Sequence, residues 1–188
     1  MELFETTISL SKWRVPPEYL TILPNIRVLI LGSYSSPFLS RLESIRDEII
    51  DRGISNAKLV KDFKVPAQQP NERLQAYNLR KSEYWIDRAD IMIFVFFDGT
   101  DNASVGIELR TTLNNPGNAW RTLLAHTETT RSLVVGLGIR YQPDLSLIPF
   151  SNDEDIVEQA EGNVIRLLER FYSLIYQRQS GEWEFFSI

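Results

Sequence analysis

The run DIMIFVFF, Asp90 to Phe97, decides the fold of this chain. One acid is followed by seven apolar residues, rich in aromatic and β-branched types, with no polar alternation. A strand that must be buried on both faces reads this way, and such strands belong to parallel sheets covered by helices. The small and polar stretch DGTDNAS follows, and VGIELRTTL then reads as a helix that stops near Asn114, Asn115, Pro116 and Gly117. Strand, loop and helix together make one βα unit.

Working outward, the same unit recurs. IRVLILG, Ile26 to Gly32, is a second short apolar run, and SYSSP makes the loop after it. Phe38, Leu42, Ile45 and Ile49 then fall at i, i+4, i+7 and i+11, the stripe of an amphipathic helix, and Gly53 supplies its stop. AKLVKDF reads as a further strand, and NERLQAYNLRKSEYWIDRA as a helix opened by Asn71. RSLVVGLG, Arg131 to Gly138, is expected to be the fourth buried strand and LSLIPF a short fifth. A final helix is announced by Ser151 and Glu154 as a capping box, with Asp153, Glu154 and Asp155 in its first turn. Its stripe is Val157, Ala160, Val164, Leu167, Phe171 and Leu174. Alternation of strands and helices predicts a three-layer α/β sandwich, a flavodoxin- or Rossmann-like parallel sheet of about five strands flanked by helices. Residues 1–25, with Pro16, Pro17 and Pro24, read as a lead-in, and residues 26–188 as one α/β domain.

Composition narrows the function. A chain of 188 residues is long enough for one proper core. The net charge of −5 leaves no global basic field, so nucleic acid is a poor partner. No apolar stretch reaches membrane-spanning length and no secretory leader pattern opens the chain, so a soluble cytoplasmic protein is expected. The sequence has no cysteine and one histidine, which excludes disulfides, thiolate ligands and a histidine-rich metal site. That histidine, His126, precedes the expected fourth strand and reads as structural or exposed. The clusters EYW and EWEFF read as core or interface aromatics.

Ligands of parallel α/β sheets bind beyond the carboxyl ends of the strands. Two loops lie there, Gly32–Pro37 and Asp98–Ser104. The first, with Gly32, Ser33 and Tyr34, offers backbone N–H groups and hydroxyls ahead of a helix, fit for a phosphate or ribose. It is neither a Walker loop nor a dinucleotide fingerprint, and a plain strand-to-helix turn explains it equally. In the second, Asp98, Asp101, Asn102 and Ser104 are turn and cap residues in their own right. Glu108 differs: it stands between apolar neighbours, one turn into the helix, on the rim of the same loop. Complementing the helix dipole, worth ~0.3–1 kcal/mol, is the bland explanation.

The stretch AYNLRKSEYWIDRADIMIFVFFDGTDNASVGIELRTTL resembles nucleoside 2-deoxyribosyltransferases. Asp90, the strand Ile91–Phe97, Gly106, Glu108 and Leu109 match that family's aspartate, apolar strand, acidic loop and G-x-E-L without a gap. VLILGSYSS resembles its first βα unit. The likeness covers roughly residues 26–140, and TIR-type NAD-processing domains share the general plan. The resemblance implies N-glycosidic cleavage or transfer on a nucleoside or nucleotide, with Glu108 attacking or stabilising the anomeric carbon. It implies Gly32, Ser33, Tyr34, Asp98, Asp101, Asn102 and Ser104 around the substrate, no metal or cofactor, and a homo-oligomer. The chain departs from the pattern at Asn102 and near Ser82 and Glu83, where the family carries acids, and at Arg110, Thr111 and Thr112, where it prefers small residues. Arg110 reads either as a phosphate partner or as a solvated charge. Two other readings stand beside the enzyme: a non-catalytic nucleotide-sensing or protein-interaction module, and a TIR-like NAD glycohydrolase.

Overall fold

The computed structural model describes residues 23–138 and 145–179. Its centre is a five-stranded sheet in the order β2-β1-β3-β4-β5, every neighbouring pair parallel. The strands are β1 (Val28–Leu31), β2 (Ala57–Leu59), β3 (Ile91–Phe96), β4 (Thr122–His126) and β5 (Ser146–Pro149). The helices are α1 (Phe38–Asp51), α2 (Leu74–Ile86), α3 (Ala103–Leu113), α4 (Arg131–Gly138) and α5 (Asp153–Gln179). This is the expected three-layer, flavodoxin-like α/β sandwich.

All six residues of β3 are buried, as a central strand covered on both faces requires. Its residues divide by parity. Ile91, Ile93 and Val95, with Phe97 just past the strand, join Leu42, Ile45 and Ile49 of α1 and Ile156, Val157, Ala160, Val164 and Leu167 of α5. Met92, Phe94 and Phe96 join Ile86 of α2, Val105, Leu109 and Leu113 of α3 and Val134 of α4. Each large side chain removed from water contributes ~1.5–3 kcal/mol, so β3 anchors both layers. Asp90, the acid that opens the quoted run, ties the strand starts together. It accepts hydrogen bonds from Arg27 N at 2.9 Å, Nε at 3.0 Å and Nη2 at 2.7 Å. Its place is the amino end of the sheet, opposite the carboxyl ends of the strands.

Four expectations are corrected. RSLVVGLG is helix α4, not a strand, and β4 is instead TLLAH. Thr127 N donates to Thr130 Oγ1 at 3.0 Å and Val134 N to Thr130 C=O at 3.1 Å. The hydroxyls thus start a helix just where an apolar run of strand length begins. Asn71 does not open α2: it sits in a turn at φ 65°, and α2 begins three residues later without a side-chain cap. The capping box of α5 is shifted by one residue. Asn152 Oδ1 accepts from Asp155 N at 3.0 Å, and Asp155 Oδ2 accepts from Asn152 N at 3.2 Å and Ser151 N at 2.8 Å. AKLVKDF is a strand only through Leu59, because the Asp62 carboxylate takes the Leu59 N–H at 2.9 Å and turns the chain into a 3₁₀ segment. The side chains of Phe171 and Leu174, the EWEFF cluster and residues 1–22 lie outside the described residues.

Candidate functional site

In the strand order β2-β1-β3-β4-β5 the chain leaves β1 toward one edge for β2 and returns to its other side for β3. The loops after β1 and β3 therefore diverge and leave a crevice. Hydroxyls join the two loops there. Ser33 Oγ lies 2.7 Å from Ser35 Oγ and 2.9 Å from Thr100 Oγ1. Gly32 is buried directly beneath, and an added Cβ would stand 2.9 Å from Leu42 Cδ2 and 3.3 Å from Val95 O. Its lack of a side chain lets α1 close on β1; that packing need accounts for this glycine.

Glu108 occupies a position that helix packing reserves for an apolar residue. Val105, Leu109, Thr112 and Leu113 are the buried residues of α3, and Glu108 falls at i+3 in that stripe. It reaches α2, where Ser82 Oγ lies 2.5 Å from its Oε1 and 3.0 Å from Asn78 C=O. Ser82 has one proton for two acceptors. When Glu108 is ionised the hydroxyl donates to it; when Glu108 is protonated, the acid donates to Ser82 and the hydroxyl turns to Asn78. Burial pushes the Glu108 carboxyl up to about 7; the Ser82 hydroxyl opposes the rise and the charge of Glu83 adds to it. Tyr34 comes down from the β1 loop. It leaves 38% of its surface exposed while its hydroxyl end is held inside, accepting from Val60 N at 3.0 Å. Burial first, and then the Glu108 charge, raise the Tyr34 pKa, so the phenol keeps its proton at any physiological pH.

The remaining expected residues divide between two places. Asp98 ties the β3 loop to the β4 loop, accepting from Thr127 Oγ1 at 2.5 Å and from Thr129 Oγ1. Asp101 accepts from Ala103 N at 2.9 Å, fixing the start of α3. Asn102 donates to Phe97 C=O at 2.9 Å, and its buried Oδ1 has no partner among the described residues. Ser104 is exposed, one turn above Glu108 on α3. A hollow of about 530 Å³ borders Thr100, Asp101, Asn102, Gly106, Ile107, Arg110 and Leu133. Helical spacing turns Glu108 away from that hollow, so the acidic loop and Glu108 serve different sides of α3. Arg110 is exposed beside it. His126 is buried, with Nδ1 2.9 Å from Thr127 C=O, a structural placement.

Sequence reading singled out Glu108 and Tyr34 but assigned no role to Ser82 or Thr100. Ser82 carried a signal, since it stands where the resembled family has an acid. Thr100 carried none beyond being a hydroxyl in the loop. Among the described residues, no group of three or more His, Asp or Glu side chains could hold a metal ion, and no helix is long and apolar enough to cross a membrane. No family model matches the chain, and neither a curated protein nor a solved structure matches it.

Proposed function

We propose that the chain cleaves or transfers the N-glycosidic bond of a nucleoside or nucleotide, with Glu108 acting at the anomeric carbon. One observation carries this reading: a half-buried carboxylate lies along the buried stripe of α3, close enough to Tyr34 of the β1 loop for its charge to act there, with its pKa pushed up to about 7 and a serine as its hydrogen-bond partner. No ion pair holds it among the described residues, so a plain structural role leaves its burial uncompensated. In the reaction a Glu108 oxygen bonds to C1′ as the C1′–N bond breaks, the base leaves with the electron pair, and water or a second base then displaces the carboxylate. The protonated Tyr34 hydroxyl is the nearby donor for an oxygen of the sugar or a nitrogen of the departing base. Cleavage of the nicotinamide bond of NAD is the same chemistry, so the substrate panel distinguishes the TIR-like reading.

The test incubates the protein with ribo- and deoxyribonucleosides, their monophosphates and NAD, and measures released base by chromatography. Base release is expected to fall ~100-fold or more in Glu108→Gln, about 2.7 kcal/mol of transition-state stabilisation. Because the attacking form is the carboxylate, kcat/KM should rise as pH climbs through about 7. Equal inactivity of native protein and a folded variant would overturn the enzyme reading for that panel. Ligand binding without turnover, unchanged in Glu108→Gln, would favour the nucleotide-sensing module.

A further inference from the structure

A second hollow, of about 260 Å³, opens at the opposite, amino end of the sheet between β1, β2 and α2. Its floor is Val28, Leu29 and Ala89, all buried. Register places Lys58 of β2 opposite Leu29 of β1, so Lys58 faces the α2 side with it. One wall is aromatic: Phe63 and Trp85 stack with centroids 3.6 Å apart and planes 13° from parallel. Trp85 is locked by donation from Nε1 to Val65 C=O at 2.7 Å. Arg88 completes the rim, lying 3.6 Å over the Tyr84 ring and donating to Tyr84 C=O at 2.8 Å.

Charge is what sets this hollow apart. Arg27, Lys58 and Arg88 line it and no carboxylate does. Arg27 is neutralised by Asp90 through its two-pronged pair. Lys58 and Arg88 meet no carboxylate among the described residues. Two uncompensated cations therefore stand beside stacked rings and an apolar floor, in a chain whose net charge is −5. Local fields of this kind attract anions whatever the overall charge. The floor and wall favour a flat ring, by burial and by stacking. The volume falls just below the range of drug-sized ligands, which limits the occupant to one ring system with a small acidic group.

We propose that this hollow is a binding site for a small planar aromatic anion, held by Lys58 and Arg88 through its acid and by Phe63 and Trp85 through its ring. It is separate from Glu108 and does not depend on the proposed chemistry there. Calorimetric titration of the full chain with indole-3-acetate and with indoxyl phosphate tests it and separates a carboxylate from a phosphate source. Indole alone and inorganic phosphate alone serve as one-feature probes. At least one of the two aromatic anions should bind, ~10-fold or more tighter than either one-feature probe. Lys58→Glu, on a partly exposed side chain, should weaken that binding ~10-fold or more, and Arg88→Gln should weaken it in the same direction. Absence of binding by both aromatic anions at millimolar concentration overturns the proposal, as does binding that Lys58→Glu leaves unchanged. Indole binding as tightly as indole-3-acetate overturns the anionic part.

Discussion

The two faces of the sheet are built on different rules. On the face covered by α1 and α5, the buried side chains among the described residues are apolar apart from Arg52. That guanidinium meets Glu48 at 2.9 Å, Glu161 at 3.1 Å and Glu154 at 3.7 Å. On the face covered by α2, α3 and α4, buried Ser82, Thr112, Asn118 and Thr122 interrupt the apolar packing, and half-buried Glu108 meets Ser82 there. Arg121 there donates to Ala89 C=O and to Asn118 Oδ1 rather than to a carboxylate. Buried polar groups cost stability unless satisfied, and their concentration on this face, beside Glu108, is what the proposed chemistry draws on. The other face is the scaffold.

The comparison can be broken most severely on the scaffold side. Leu42 is fully buried between α1 and the sheet, and Leu42→Ala should cost ~2–5 kcal/mol in urea denaturation with the pH profile of base release unmoved. A loss under 1 kcal/mol would mean that this face is loosely packed and the contrast false.

A second test works on the polar face, through protons. The folded-state pKa of Glu108 is raised to about 7 from 4.5, so the group favours the fold fully below pH 4.5 and loses that contribution as pH rises through about 7. Relative to Glu108→Gln, the native protein should therefore lose stability between those pH values, by ~1–2 kcal/mol once solvent screening at the cleft is allowed for. Parallel stability curves for the two proteins over that window would show that Glu108 is not held neutral by burial.

The smallest effect belongs to the rim. Asn152→Ala removes the acceptor that caps α5 and should cost ~1 kcal/mol by thermal melting, with no change in any activity. A larger loss would show the cap reaching into the apolar face.

The layered fold was legible because its strongest signals are physical necessities. A strand covered on both faces must be apolar throughout, and β1 and β3 read that way; the α1 stripe followed from period alone. The fourth strand was misplaced because apolar runs of five or six residues do not distinguish a strand from a buried helical turn. What decides the matter at Arg131 is the Thr127–Thr130 pair just before it, a polar start signal that prevails over the strand-like apolar run. Glu108 was visible as an acid in an apolar setting, whereas its contact with Ser82 was not. That pairing depends on how α2 and α3 dock, across 26 residues of chain.

The sheet's edges carry a consequence of their own. β2 offers three residues before Asp62 captures the Leu59 N–H, and β5 offers four and ends in Pro149, which has no N–H to give. Ladders this short give an incoming strand little to pair with. Among the described residues, growth by strand addition therefore meets blunt ends on both sides of the sheet.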